Sequence, residues 1–410
     1  MTSRRTFLGA LGASAAVGAL PSPLCASPAA WSAGARGLAD AGDFAFEPGL
    51  VYVQTGSLGP SPRPVREAAH RAWEELQRNP TAYGYGAHEQ NLDVVRAQAA
   101  QFIGAETREV SLTTSTTDGL NRVVSAMASA FERGDRVLTT DQEHPGGRSC
   151  WEWLAKTRGI VIDEIVIPPG PVDAAAFVAQ VQSRLTPRTR VLSMAHVLPS
   201  TGVRMPVTEV CAAVRERGVL AIIDGAQAVG GIGVDVHALG CDVYATSGHK
   251  WLLGPPGTGL LYVRADLSER IPLITRQQGE AAYTGSTGVT NLPGMYGLGA
   301  ALTYHTTRGV AATEAHNLAL RDAMRAELRT IRGLEVVTDD TAGHRSPMVS
   351  YRLPAATPAG ALQQRLHQRH QVYVKVVPGN WFNGHRLSFH LFNEVADVQA
   401  VARALRAELS

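Results

Sequence analysis

Neither sign of charge is in excess in this 410-residue chain: 38 Lys and Arg stand against 36 Asp and Glu, a formal net charge of +2. There is no run of like charges, no low-complexity tract and no obvious repeat. A nucleic-acid partner or an acidic membrane surface therefore finds no electrostatic support. Cysteine is sparse. Besides Cys25 near the start, only Cys150, Cys211 and Cys241 occur, and their spacings match no zinc or redox pattern. They are expected as buried or half-buried thiols, and no metal site is expected. No Gly-x-Gly-x-x-Gly opens a strand–helix turn, which disfavours a nicotinamide-dependent oxidoreductase, and Gly254-Pro-Pro-Gly257-Thr-Gly259 lacks the spacing and the following lysine of a P-loop. What is present is an ordinary globular composition, 45% hydrophobic and 18% charged, with material for two domains or one large one.

The N-terminus departs from that average. Ser3-Arg-Arg-Thr-Phe-Leu8 precedes a mild apolar stretch to Leu20, no charge falls between Arg5 and Arg36, and small residues gather at Ala26 to Ala30. This is the layout of an export signal, and the paired arginines with Phe-Leu resemble a twin-arginine signal. The stretch is shorter than the roughly 18 apolar residues that span a bilayer, and Pro21 breaks it, so no stable membrane anchor is expected. The expectation is a signal over residues 1–30, export of the folded protein by the twin-arginine machinery, and a periplasmic or secreted mature form.

From about residue 110 to 265 strands and helices alternate, the mark of an α/β fold. Val110–Thr113, Arg136–Thr140, Gly159–Ile167, Arg190–Ala195, Val219–Asp224, Val243–Ala245 and Gly259–Val263 read as strands, and Gly119–Phe131 as a helix. One helix is expected through about 300 to 333. A smaller α+β region follows, with strands at Leu334–Val337, Met348–Arg352, Val372–Val376 and Arg386–His390, and helices near Ala359–His370 and Asp397–Leu409. Residues 31–315 are expected to form an N-terminal arm plus a large α/β domain, and residues 316–410 a small α+β domain.

In such sheets function gathers at the carboxyl ends of the strands. There the apolar strand Val219-Leu-Ala-Ile-Ile223 ends in Asp224-Gly-Ala-Gln227, and Asp242-Val-Tyr-Ala-Thr-Ser-Gly-His-Lys250 closes just beyond the next strand. An acid closing five apolar residues is expensive unless paired. An acid and a lysine so placed can grip the two ends of a pyridoxal ring. The lysine forms a Schiff base with the aldehyde, and the carboxylate pairs with the ring nitrogen. Ser115-Thr116-Thr117-Asp118 stands at the start of a helix, where anions are attracted, although serine and threonine are also ordinary caps there.

In residue type, order and spacing, Asp224-Gly-Ala-Gln227 and Ser247-Gly-His-Lys250 resemble the class V aminotransferase family of fold-type I pyridoxal-phosphate enzymes. The isopenicillin N epimerase-like and cysteine desulfurase-like branches look nearest. The resemblance runs from about Tyr52 to the C-terminus, and it implies a large mixed-sheet α/β domain with a small C-terminal α+β domain. It implies pyridoxal 5'-phosphate as cofactor and Lys250 as the lysine that binds it and moves the α-proton. It further implies Asp224 at the ring nitrogen, Gln227 at the phenolic oxygen, and Thr116, Thr117, Ser247 and His249 around the phosphate. His144, or by a one-residue slip Glu143 or Pro145, falls where the family stacks a ring on the cofactor. Ser286, in Thr284-Gly-Ser286-Thr287, resembles the residue that reaches the phosphate of the neighbouring subunit, which implies a homodimer with shared active sites. Arg386 resembles the arginine that clamps the substrate carboxylate, a task its planar fork suits.

Departures narrow the reaction. Desulfurases of this family carry a nucleophilic cysteine in the C-terminal domain, and this chain has no cysteine after Cys241. Sulfur transfer through a persulfide is therefore disfavoured, whereas a cysteine-independent C–S lyase stays open. Pro199 stands where many relatives have asparagine. Lys375, Trp381 and Tyr83 are expected to line the substrate pocket. The segment Val51–Pro60 and Asn79-Pro80 resemble the epimerase-like branch. A racemase commonly needs a base on each face; Lys250 supplies one, and Tyr83, Tyr85 and His88 are the candidates for the other. Transamination needs Lys250 alone and ranks first, ahead of epimerisation and β-elimination. The substrate is expected to be an amino acid or an amine-bearing, peptide-like metabolite.

Overall fold

Apolar runs punctuated by glycine set the order of elements. The computed structural model describes residues 38–84, 89–274, 283–284 and 287–409. The expected export signal, Cys25, Tyr85, His88 and Ser286 lie outside them. A short β1 (Val51–Tyr52) leads into α1 (Arg63–Arg78), α2 (Pro80–Gly84) and α3 (Glu89–Phe102). Alternation follows through β2 (Val110–Thr113), α4 (Thr116–Met127), β3 (Arg136–Thr140), α5 (Pro145–Arg158), β4 (Val161–Ile165), α6 (Ala174–Arg184), β5 (Thr189–Ala195), α7 (Val207–Arg215), β6 (Leu220–Asp224), α8 (Val236–Leu239), β7 (Val243–Ser247) and β8 (Gly259–Val263). Next come the small pair β9 (Tyr283–Thr284) and β10 (Gly288–Val289), then α9 (Leu292–Arg308) and α10 (Val310–Arg329). The chain finishes with β11 (Glu335–Val336), β12 (Met348–Arg352), α11 (Ala359–His370), β13 (Val372–Tyr373), β14 (Lys375–Val376), β15 (Gly384–Ser388) and α12 (Val395–Leu409).

Seven strands form a mixed sheet in the order β2-β8-β7-β6-β5-β3-β4, with β8 antiparallel to both of its neighbours and the other pairs parallel. Helices cover both faces, so central strands such as β6 and β7 are buried along their whole length. In β6, Leu220 and Ile222 enter one core while Ala221 and Ile223 enter the other. This is the large α/β sheet that the sequence predicts. Cys150, Cys211 and Cys241 are all buried. Among the described residues no helix is long and apolar enough to cross a membrane.

A second, antiparallel sheet has the order β11-β12-β15-β14. One of its faces packs Val349, Tyr351 and Leu387 against Leu362 and Leu366 of α11 and Val401 and Leu405 of α12. Alternation along β15 therefore puts His385 and Leu387 on the helix side and Arg386 on the other. The expected boundary at 315/316 falls inside α10.

Three local readings are corrected. The helix expected over 300–333 is two helices broken at Gly309, whose φ of 84° disfavours any side chain. The strand expected over Val372–Val376 is two pieces with different partners: β13 pairs parallel with β1, and β14 pairs with β15. The helix expected from Gly119 begins at Thr116, because Ser115 is its cap and accepts a hydrogen bond from the Asp118 amide at 3.1 Å.

Candidate active site

The carboxyl ends of β3, β5, β6 and β7 converge on one region, and the face of β15 that carries Arg386 borders it. Asp224 is the last residue of β6, and Lys250 follows β7 by three residues. Asp224 Oδ1 accepts from the Ala226 amide at 2.9 Å. Its Oδ2 lies so close to Gly147 on α5 that an added Cβ would sit 3.1 Å away, so the helix packs on this carboxylate without a side chain between them. Lys250 is half-buried. Burial pushes its ammonium down to about 8; the Asp224 charge opposes that, and Arg386 and Lys375 add to it. A lysine so shifted is neutral in roughly a tenth of molecules at pH 7, far more than an ordinary lysine, and the neutral amine is the form a nucleophile or base requires.

The loop that carries Lys250 is fixed from several sides. Gly59 donates to the His249 carbonyl at 2.7 Å, Gly254 to the Gly248 carbonyl at 2.8 Å and Leu253 to the Lys250 carbonyl at 3.1 Å. Leu253 itself holds a left-handed φ of 57°. For a bulky residue this is a strained conformation, retained here by full burial.

At the start of α4 the hydroxyls of Thr116 and Ser247 meet at 2.8 Å, and Ser247 Oγ also accepts from the Thr116 amide at 3.0 Å. Thr117 stands beside them against Gly146 of α5. His249 Nδ1 is buried without a hydrogen-bond partner, and burial lowers the pKa of that ring, with Lys250 adding to the effect. Thr116, Thr117 and Ser247 gather at the positive end of α4, a natural anion site.

Gln227 is held from both ends. Its Nε2 donates to the Gly56 carbonyl at 2.8 Å, and its Oε1 accepts from Trp251 Nε1 at 2.9 Å. An indole can only donate and a carbonyl can only accept, so together they fix the amide orientation. Trp251 was not a candidate in the sequence; a donor-only ring directly after the lysine was the available signal.

Arg386 is 3% exposed. Its Nη1 donates to the Pro199 carbonyl at 2.7 Å and its Nη2 to Ser57 Oγ at 3.3 Å, while Nε has no partner. Burial pulls the guanidinium down to about 10, with Tyr52 opposing. No carboxylate pairs with it among the described residues. Pro199, the departure from the family pattern, thus serves Arg386 through its backbone oxygen. The segment after β1 also enters here, because Ser388 donates to the Val53 carbonyl at 2.8 Å and Gly56 and Ser57 reach Gln227 and Arg386.

His144 caps α5 through Nδ1, which accepts from the Gly146 amide at 3.0 Å, and its ring is exposed. Desolvation and Lys250 lower its pKa, against Asp224. The neighbouring Glu143 points inward instead. It accepts from Thr140 Oγ1 at 2.6 Å and the Ala195 amide at 3.2 Å, and burial, reinforced by Asp224, pushes its carboxyl up to about 8. Pro145 opens α5. Trp381 Nε1 donates to the Asp141 carbonyl at 2.9 Å, tying the loop after β14 to the His144 loop. Lys375 stands directly opposite Arg386 across β14 and β15. Tyr83 lies on α2, which packs mainly on α1.

Residues 57–401 match the family model for aminotransferase class V. The chain is 31% identical over 385 residues to an isopenicillin N epimerase of Amycolatopsis lactamdurans, covering 89% of this chain and 96% of that protein. It is 30% identical over 326 residues to a cysteine desulfurase of Enterobacter sp. (strain 638), covering 74% and 78%. Among solved structures, a C-DES mutant with glycine covalently linked to its PLP cofactor superimposes with a TM-score of 0.80 at 24% identity, over 90% of this chain and 99% of that one. That likeness carries the fold.

Proposed function

The chain belongs to the class V aminotransferase family and is a pyridoxal-phosphate-dependent enzyme; from that premise we propose that it transaminates an amino acid or an amine-bearing, peptide-like metabolite. The residues present fit the cofactor. Asp224 offers a buried carboxylate beneath a bare glycine, the α4 terminus gathers hydroxyls, and His249 Nδ1 is a buried polar atom without a protein partner. In this reading Asp224 holds the ring nitrogen, Gln227 faces the phenolic oxygen, Thr116, Thr117, Ser247 and His249 hold the phosphate, and His144 covers the ring. When bound, the cofactor supplies an aldehyde for the substrate amine and a protonated ring that accepts the electron pair of the broken α-C–H bond.

Lys250 carries the proposal: its amine, depressed to about 8 and facing Asp224, is the one group at the site that both binds the aldehyde and moves the α-proton. Arg386 takes the α-carboxylate and so turns the α-C–H toward Lys250. Transamination needs the proton taken and returned by this single lysine. Lys250→Ala is expected to lower turnover on the order of a thousandfold.

Epimerisation is a second reading, favoured by the epimerase relative that matches along 89% of this chain. It commonly needs a second base, for which Tyr83, Tyr85 and His88 are candidates. One assay separates the readings. The holoenzyme is given L-amino acids and amine-bearing peptides with no amino acceptor, and products are identified by chiral chromatography and mass spectrometry. Transamination releases one equivalent of keto acid per site and then stops until a keto acid is added. Continued inversion at the α-carbon without keto acid overturns it in favour of epimerisation. Release of a thiol fragment favours a C–S lyase.

Two further parts of the reading rest on sequence alone. The enzyme is a homodimer in which Ser286 of one subunit reaches the phosphate held by the other. It is exported folded, by the twin-arginine route, to the periplasm or beyond. Mass spectrometry of the native protein should find an N-terminus near residues 27–31; an intact Met1 would count against export.

A further inference from the structure

Lys375 is the cation at this site with no assigned task. It lies on β14 in register with Arg386 on β15, so the two side chains leave the same face of the sheet. Cβ atoms of such opposite residues are about 5 Å apart, and like charges in this position destabilise a sheet. Among the described residues neither is paired with a carboxylate. Arg386 bonds only to the Pro199 carbonyl and Ser57 Oγ, and Lys375 has no carboxylate partner among the described residues. Elsewhere basic side chains pair freely, as Arg264 does with Asp242 and Asp266.

The Lys375 side chain faces the reacting region. Its charge acts on both Lys250 and His144, as does that of Arg386. Lys375 is half-buried, and desolvation lowers its ammonium, with Arg386 adding to the effect. The acid on this side that acts on Lys250 is Asp224, and in the proposed function it is committed to the ring nitrogen. One substrate carboxylate on Arg386 would still leave a desolvated ammonium beside a guanidinium. Such an arrangement is costly unless a second anion is brought in.

We propose that Lys375 binds a second carboxylate of the substrate, which makes the natural substrate a dianionic amine: a dicarboxylic amino acid, or a peptide-like amine with a distal carboxylate. This rests on the reading of Arg386 as the clamp for the α-carboxylate. A single substrate oxygen pair would be held by the guanidinium fork, and the second acid group by the point charge of the lysine. The spacing of the two acid groups selects the substrate.

The test compares acids with their isosteric amides on the holoenzyme. Half-saturation is read from the visible spectrum for aspartate against asparagine and glutamate against glutamine, with succinate, glutarate and adipate against their monoamides as competitors. The wild-type protein is expected to favour the acid at least tenfold in one pair. In Lys375→Gln that acid-to-amide ratio should fall at least tenfold, and in Lys375→Arg it should largely return. A preference for a short amino acid points to a free dicarboxylic amino acid; one seen only with the longer dicarboxylates points to a distal carboxylate. A ratio near one in every wild-type pair, or one unaltered in Lys375→Gln, overturns the proposal. Arg386→Leu isolates the premise. It should weaken the amino acids and their amides together, and if it does not, the assignment of Arg386 fails while the Lys375 comparison still stands.

Discussion

Glu143 buries a carboxyl beside Asp224, with Thr140 and the Ala195 amide both donating to one of its oxygens. Its carboxyl titrates near 4.5 when free and near 8 when folded. Between those values the folded state keeps a proton that the unfolded state has lost. The stabilisation is therefore complete below about pH 4.5 and fades as pH rises toward 8. Glu143→Gln keeps an acceptor for both hydrogen bonds and removes the titration. Thermal melts of the cofactor-free protein at pH 5.5 and 8 should show a smaller decline for the variant than for wild type; equal declines would assign the effect to another group. A neutral Glu143 also leaves Asp224 as the local negative charge. Glu143 was legible only as a one-residue slip from His144, not as a buried carboxyl, and Trp251 was not legible at all, because each acts through a side-chain contact that has no sequence period. Trp251 meets Gln227, which in turn meets Gly56 far away in the chain. Lys250 and Asp224 were legible as candidates because a pyridoxal site demands an acid and a lysine near the carboxyl ends of neighbouring strands, and Arg386 was legible only through the family resemblance; the charges of Asp224 and Arg386 both act on Lys250.

The start of α4 shows how a helix terminus can be misread. Ser115, Thr116 and Thr117 are all good caps in isolation, so the sequence places them before the helix. The fold uses Ser115 as the cap and takes the threonines into the first turn, where Thr116 reaches Ser247 on the neighbouring strand. Ser115→Ala should lower stability by about 1 kcal/mol, measured by urea unfolding of the cofactor-free protein. Removing Ser247 Oγ instead should weaken phosphate retention first. Central strands such as β6 were legible because burial on both faces leaves unbroken apolar runs. The two-residue β1 was not, since its partner β13 lies at the far end of the chain; β11 was, and β13 and β14 were read as one strand. The break at Gly309 was hidden for a similar reason: apolar spacing continues through it, and only the glycine marks the turn.

At the scale of the whole molecule, the proposed shared-site dimer makes a prediction that no single chain can. Lys250→Ala and Ser286→Asp are each expected to leave only a trace of activity alone. Refolded together, the mixed dimer has one site in which Lys250 and the opposing Ser286 are both intact, so activity should reappear toward a quarter of wild type. No recovery, with mixed dimers verified by mass, would remove Ser286 from its partner's site. The three cysteines of the described region have a different consequence. Cys150 and Cys211 are pushed up to about 12 by burial and Cys241 is raised as well, so none presents a thiolate at neutral pH. Their reaction with a water-soluble disulfide reagent must wait for the fold to open. The rate of colour release would then be a clock for native-state opening, insensitive to reagent concentration once modification outpaces reclosing. An oxidising surrounding would find none of these three thiols to crosslink until the protein had already come apart.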